Sequence, residues 1–151
     1  MKILRQTSLC NGLVNLSIVQ GSLLHETTDV IVNPANTYLD HHEGLAGSIA
    51  EAGGQVIQDE SDALLKKFGR PIPVGNCVFT SAGALPFKKI IHTVGPMWLD
   101  GDKGSFDKPV QLRKCVMNSV EIAGLLGLKS IAMPAISIGL GGFPIGLCAQ
   151  I

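Results

Sequence analysis

Val30-Ile-Val-Asn-Pro-Ala-Asn36 is a short β-branched run that closes on two asparagines and a proline, and it leads through a turn into Gly44-Leu-Ala-Gly-Ser-Ile-Ala-Glu-Ala-Gly53. The first part reads as a buried strand and the second as the start of a helix. The same design returns downstream, where Ile131-Ala-Met-Pro-Ala-Ile-Ser137 passes through Gly139, Gly141 and Gly142 into Phe143-Pro144. In an open α/β sheet, a strand, loop and helix in that order place backbone N–H groups and a helix N-terminus at the carboxyl edge, where anionic ligands bind. Two such loops on one chain imply a clamp around a diphosphate.

Outward from these stretches, strands and helices alternate. Leu13 to Val19 sets Val14, Leu16 and Ile18 on one side, the period-two signature of a strand, and Gly21 ends it. Asp29 to Val32 is too apolar to face water and reads as a central strand. Leu45 to Ala52 is a small-residue helix stopped by Gly53-Gly54, and Gln55 to Phe68 is a second helix ended by Gly69 and Pro71. Asn76 to Ser81 and Lys88 to Val94 are further strands. Val110 to Leu126 is the clearest helix, with Leu112, Cys115, Val116, Ser119, Val120, Ala123 and Leu126 on one face, Pro109 in its first turn and Gly127 as its cap. Lys129 to Met133 is the next strand, and Pro144 opens a last helix that meets the end of the sequence after a few residues. The pattern gives an α/β class with helices on both sheet faces. No internal repeat or linker divides residues 1–151, so one domain is expected, with its last helix and a following strand incomplete.

The chain has 151 residues, 46% of them hydrophobic, enough for a real core. No apolar run reaches the ~18 residues of a membrane span. Met1-Lys-Ile-Leu-Arg-Gln lacks the layout of a signal peptide, so a cytoplasmic or nuclear address is the default. Twelve basic and twelve acidic side chains cancel, which argues against nonspecific nucleic-acid binding. Cys10, Cys77, Cys115 and Cys148 are widely spread and read as reduced, mostly buried thiols rather than a zinc or disulfide framework. Oligomeric state is not legible.

Several catalytic motifs fail on inspection. Ile136-Ser-Ile-Gly139 lacks the glycine two places before the serine of a nucleophile elbow, and no His or Asp follows it. Gly139-Leu-Gly-Gly142 has Pro144 where a dinucleotide fingerprint needs its third glycine, and no acidic residue lies downstream. There is no Gly-Lys-Ser/Thr. His41, His42 and Glu43 form a candidate metal triplet, but adjacent side chains diverge, and the ordinary alternative is a polar loop. No metal site or cofactor is assigned. Asn33 and Asn36 flank Pro34-Ala35, where turn chemistry and contact of one amide with a sugar hydroxyl, the other bracing the loop, stand side by side.

Taken together, Val32-Asn-Pro-Ala-Asn36 with Leu45-Ala-x-x-Ile49 and Ala52-Gly53, Leu85-Pro-x-x-x-Ile-Ile-His-x-Val-Gly-Pro-x-Trp98, and Pro134-Ala-Ile-Ser-x-Gly139 with Gly142-Phe-Pro144 closely resemble macrodomains, the ADP-ribose-binding, Appr-1"-p-processing-like family. The match runs from about Leu16 to Ile151 and looks most like macrodomains of ADP-ribosyltransferases that carry several copies. The resemblance implies a three-layer α/β/α sandwich around a mixed sheet. Family members usually finish with a full helix and a further strand, so the chain looks truncated at its C-terminus. ADP-ribose, free or on modified proteins, is the implied partner.

Carried over residue by residue, Asn36 contacts the distal ribose and is the candidate catalytic residue. Gly44, Leu45 and Ala46 lend backbone groups to the diphosphate, beside Ala35. Ser137, Ile138, Gly139, Leu140 and Gly141 form the opposing phosphate loop, Pro134 and Ala135 line the adenosine side, and Ser22 and Leu23 hold the adenine end. The chain departs from the family at three places. Ser22 stands where an aspartate often grips the adenine amino group, His42-Glu43-Gly44 replaces a glycine tract, and Gly141 replaces an aromatic that packs on the distal ribose. The leading reading is an ADP-ribose-binding module of altered affinity. The alternatives are a mono-ADP-ribosyl-protein hydrolase or O-acetyl-ADP-ribose deacetylase, with His41 or Glu43 as the available bases, and a degenerate macrodomain acting as a protein-interaction or RNA-binding surface.

Overall fold

The computed structural model describes residues 1–99 and 105–151. Its strands are β1 (Lys2–Leu9), β2 (Val14–Gln20), β3 (Val30–Ala35), β4 (Cys77–Thr80), β5 (Lys89–Val94) and β6 (Ile131–Ala132). Its helices are α1 (Gly44–Gly53), α2 (Val56–Phe68), α3 (Asp107–Leu125) and the single turn α4 (Ile145–Cys148), with short 3-10 turns at Cys10–Gly12 and Leu23–His25.

Four strands form one mixed sheet in the order β4-β5-β3-β6. β3 runs parallel to β5 from Val30↔Lys89 to Ala35↔Val94 and parallel to β6 at Val30↔Ile131 and Ile31↔Ala132, while β4 is antiparallel to β5. Alternation assigns the side chains to two faces. Ile31 and Ile90 point to one face and pack with Ile49 of α1 and Ile57 of α2. Val30, Val32 and Ile91 point to the other and pack with Ala123 of α3. The sheet is therefore covered by helices on both sides, the three layers expected. Ile31, Ile49, Ile57, Ile90, Val30, Val32 and Ile91 are all fully buried, each side chain stabilising the fold by roughly 1.5–3 kcal/mol before entropy is counted.

Asp29 fastens the N-terminal ends of these strands. Its carboxylate accepts from Lys88 Nζ at 2.7 Å and from the backbone N–H of Lys129 at 2.7 Å, and its own N–H donates to Ser130 Oγ at 2.8 Å. The hydrogen bond from Lys88, then that from Lys129, holds its carboxyl below the usual range.

Four expectations need correction. The strand expected from Lys129 to Met133 pairs only at Ile131–Ala132, because Pro134 cannot donate to a ladder and the chain turns away. Lys2–Leu9 is a strand that alternation does not reveal, since a bulge between Ile3 and Arg5 shifts its phase. It pairs with β2 in a separate antiparallel hairpin, and Val14, Leu16 and Ile18 share a face as expected but remain 48%, 50% and 54% exposed. In α3, Leu112, Cys115, Ser119 and Ala123 are the buried stripe, whereas Val120 is 52% exposed. The thiols also divide: Cys115 is buried, Cys77 and Cys148 half-buried, and Cys10 exposed. No helix among the described residues is long and apolar enough to cross a membrane.

Ile49 joins α1 to the sheet beneath the first loop. Ile49→Ala should cost about 2–5 kcal/mol, read as a lower urea midpoint with an unchanged slope. A loss below ~1 kcal/mol would show that α1 is not held through this contact.

Candidate ligand-binding cleft

β3 and β6 run parallel, so their carboxyl ends lie on one edge and the loops that follow them emerge there. The first loop, residues 36–43, is built around Asn36. Its Oδ1 accepts from the backbone N–H groups of Tyr38 at 3.0 Å and Asp40 at 3.1 Å, and its Nδ2 donates to the Asp40 carbonyl at 3.0 Å. Leu39, at φ 49, turns the chain and buries its side chain against Ala35, Ile72, Val78 and Val94. Gln58 of α2 clasps the loop from behind, accepting from His41 N at 3.2 Å and donating to the Leu39 carbonyl at 3.1 Å. Glu43 is the exposed residue before α1 and makes no side-chain cap, so the first N–H groups of α1 at Gly44, Leu45 and Ala46 point out of the helix end.

The second loop, Pro134 to Pro144, is anchored at both ends. Ile136 and Phe143 are each 2% exposed and share a cluster with Leu112 and Cys115 of α3. Between them the chain doubles back: Phe143 N donates to the Ser137 carbonyl at 2.9 Å and Gly142 N to the Gly139 carbonyl at 3.0 Å. Ser137 adopts φ 67, a strained left-handed conformation for a side-chain-bearing residue, of the kind that clusters at ligand sites. Among the described residues, none accepts from the N–H groups of Ile138, Gly139, Leu140 or Gly141. Successive backbone donors of this kind are the geometry in which proteins bind anions.

The two loops meet. A Cβ placed on Gly44 would sit 3.8 Å from Leu140 Cδ1, ordinary van der Waals contact across the mouth. Leu23, Leu45 and Ala132 rest on one core cluster, which brings the segment after Ser22 to the same edge. Gly44 and Leu140 thus set the first and second loops against each other, with Leu23 and Leu45 packed on the same core cluster. Ala35 and Ala46 are 9% and 8% exposed, so they offer backbone rather than side chain. Gly95 and Trp98, to which residue types alone assign no role, hold the second loop in place. Any side chain at Gly95 would overlap Ser137, and Trp98 N donates to the Gly141 carbonyl at 2.7 Å while its ring meets Phe143 edge-on at 4.9 Å. Their signal lay in the His-x-Val-Gly-Pro-x-Trp spacing. A hollow of about 570 Å³ lies between α1 and α2 behind the first loop; Gly44 lines it, and its lining includes no second-loop residue.

Beneath the first loop is a buried polar stack. His41 and His92 lie face to face, ring centroids 4.7 Å apart, at 2% and 0% exposure. Asn33, fully buried, donates one amide hydrogen to each Nδ1, at 3.3 Å to His41 and 2.9 Å to His92. Both protons of the pair therefore sit on Nε2, where His41 donates to Ser61 Oγ at 2.9 Å and His92 to Thr80 Oγ1 at 2.8 Å. Thr80 in turn donates to the Ser81 carbonyl at 2.8 Å. Burial, with a further push from His41, lowers His92 to about 3. Burial lowers His41 too, against Asp40 and Asp62.

This arrangement bears on two open readings. Asn33 serves the histidines and cannot reach a ligand. Asn36 braces its own loop, with both oxygen lone pairs engaged and one amide hydrogen left to face outward. His41, His42 and Glu43 do not converge: both His41 nitrogens are engaged underneath, while His42 is exposed and pairs with Asp40 Oδ1 at 3.1 Å. Among the described residues, no three His, Cys, Asp or Glu side chains are grouped to hold a metal ion.

A model of the Macro domain family matches residues 32–151. The chain belongs to the macrodomain family. It is 50% identical over 129 residues to a Thermotoga maritima protein, covering 85% of this chain and only 21% of that one. It is 38% identical over 136 residues to the Escherichia fergusonii protein named O-acetyl-ADP-ribose deacetylase, covering 90% of this chain and 75% of the relative. Over 152 residues it is 38% identical to the human protein mono-ADP-ribosyltransferase PARP14, covering 99% of this chain and 8% of that protein. Among solved structures, an Oceanobacillus iheyensis macrodomain mutant with ADPR superposes with a TM-score of 0.86 at 32% identity, covering 97% of this chain and 79% of that one. A Trypanosoma brucei macrodomain in complex with ADP-ribose gives 0.77 at 28% identity, covering 89% and 52%.

Within this macrodomain the glycine at 141 is a steric requirement. A Cβ there would lie 2.6 Å from the Ser137 carbonyl oxygen and 3.0 Å from its Cα. Gly141→Ala should destabilise by about 1–3 kcal/mol through overpacking. Gly139→Ala, where a Cβ meets nothing within 4 Å, should stay within ~0.5 kcal/mol of the parent in the same urea titration. Equal midpoints for both variants would refute this account of the loop.

Proposed function

We propose that the chain binds ADP-ribose, free or attached to proteins, across the crevice between its two loops. The apposition of Gly44 and Leu140 carries this reading, because it sets the open end of α1 against four N–H groups that find no acceptor among the described residues. A diphosphate needs many donors in a small volume, and a helix N-terminus facing a backbone concavity supplies them without desolvating a cationic side chain. On this reading the diphosphate sits between Gly44–Ala46 and Ser137–Gly141. Pro134 and Ala135 line the adenosine side, with Ser22 and Leu23 at the adenine, and Asn36 turns its remaining amide hydrogen toward the distal ribose. The ADP-ribose complexes of similar solved macrodomains support it.

Hydrolysis is the second reading, favoured by the relative named O-acetyl-ADP-ribose deacetylase. His41 is removed as its general base, since a nitrogen enclosed against Ser61 and another against Asn33 cannot take a proton from a ligand-bound water. Asn36 as orienter and the exposed Glu43 remain. Turnover of O-acetyl-ADP-ribose or of a mono-ADP-ribosylated protein, abolished by Asn36→Ala, would establish the enzyme. Tight binding without turnover establishes the reader. A chain that binds neither ADP-ribose nor AMP refutes both and leaves an interaction surface.

Gly139 tests the cleft directly. Its Cβ position is open, so Gly139→Glu should fold normally while placing a carboxylate and its bulk among the diphosphate donors. Calorimetry should show ADP-ribose binding weakened by about a hundredfold or more. Unchanged affinity in a folded variant would refute this site.

Glu43 brings an exposed negative charge to the end of the helix that faces the ligand. Glu43→Gln should tighten ADP-ribose binding by about threefold to tenfold at low salt, a gain that fades as salt screens the charge. Glu43→Gly should tighten it further by removing bulk as well. No change from either at low salt would mean the carboxylate does not face the ligand.

A further inference from the structure

We propose that the His41–Asn33–His92 stack is an acid-released latch on the ligand loop: neutral imidazoles hold residues 36–44 in the binding arrangement, and protonation of His41 frees the loop and discharges the ligand. The inference rests on the ADP-ribose reading and adds a regulation of that site.

The hydrogen-bond roles leave no place for an imidazolium. Protonated His41 would carry a hydrogen on Nδ1, aimed at the Asn33 Nδ2 that now donates to it. Its ring is 2% exposed, so water does not replace the lost acceptor. Asn33 Oδ1 is buried without a partner, and turning the amide over would present it to that new hydrogen. The turn, however, would set Oδ1 against the lone pair of His92 Nδ1. His92 cannot move its proton to relieve this, because Nε2–H is needed by Thr80, whose own hydroxyl hydrogen is committed to the Ser81 carbonyl. A single amide cannot satisfy one charged and one neutral ring in this geometry.

His41 is the member that yields. His92 lies inside β5, paired to β3 and β4 on either side, whereas His41 sits on the loop. The groups facing His41 are Asn33 from β3, His92 from β5, Ser61, Gln58 and Asp62 from α2, and Asp40 and His42 on its own loop. The two carboxylates favour its charge and attract it once it swings into water. Asp40 adjoins His41 and holds both ends of the Asn36 amide, while Gly44 begins the helix that faces the diphosphate. Displacing His41 therefore disturbs the ribose and diphosphate contacts together.

The sign of the dependence tests the latch: protonating His41 weakens binding as pH falls. Calorimetry with ADP-ribose from pH 7.5 to 5.5 at constant ionic strength, with near-ultraviolet circular dichroism to follow folding, should show a loss of affinity of about fivefold to tenfold, tenfold being the ceiling for one released histidine, while the fold persists. His41→Gln, which keeps a donor and an acceptor but cannot charge, should show a flatter profile than the parent whatever its affinity at pH 7.5, losing less than about threefold across the same range. His42→Gln, which removes the exposed neighbouring histidine, should keep the parent's loss. A flat or rising profile in His42→Gln overturns the latch, as does an equal loss in His41→Gln.

Nitrogen NMR of the parent gives an answer free of ligand and of variant folding. His41 should titrate from the Nε2–H tautomer to the doubly protonated form while His92 stays neutral, and the Asn36, Asp40 and Gly44 amides should move with it. Amides that ignore His41's titration refute the latch. If ADP-ribose fails to bind at pH 7.5, the functional reading falls, while these shifts still decide the latch.

Discussion

β3 is buried on both faces and bonded on both edges, and the rest of the architecture follows from that constraint. Val30, Ile31 and Val32 leave no side for water, so helices must cover both faces. Parallel pairing to β5 and β6 then brings three strand ends to one edge and forces the loops to emerge together. A strand so enclosed must still resolve its polar groups, and Asn33 in its middle does so by serving two histidines rather than water. The polar stack and the cleft are thus consequences of one burial, seen from below and from the edge.

Sequence made the skeleton legible because its signals are local. The β-branched run at Val30–Val32, the small-residue helix after Gly44, and the glycines of the second loop each follow from neighbours in the chain. The polar stack was not legible, because it joins residues remote in sequence: Asn33, His41, Ser61, Thr80 and His92 meet only after folding. His41 beside His42 and Glu43 looked like a surface cluster, and nothing local marks the first as buried and the others as exposed. Gly95 and Trp98 were visible as a spacing, but their purpose, to brace the second loop, again joins residues remote in sequence. β1 escaped for a different cause, a bulge that breaks its period.

The two loops earn their rigidity by unlike means. The first is held by side chains: Asn36 gathers its turn, Gln58 clasps it from α2, and His41 plugs it into the core. The second is held by main chain, through short-range bonds within Ser137–Phe143 and one from Trp98. A loop held by titratable and amide side chains responds to protonation. A loop held by backbone bonds and glycine sterics does not. Any control of ligand binding by solution conditions therefore falls on the first loop, with the second as a fixed wall.

The departures at Ser22, Glu43 and Gly141 all concern side chains, and none removes a backbone donor. Ser22 makes no side-chain cap, Gly141 can carry no ring without colliding with Ser137, and Glu43 stands exposed ahead of α1 without capping it. What remains intact is the set of N–H groups at Gly44–Ala46 and Ile138–Gly141. Backbone donors recognise a diphosphate whatever base or sugar it carries, whereas an acid on the adenine or a ring on the distal ribose discriminates between ligands. On the ADP-ribose reading, this chain keeps the groups that bind and thins those that select. Its discrimination rests on crevice shape and on Asn36, whose one outward amide hydrogen depends on the loop staying closed over His41.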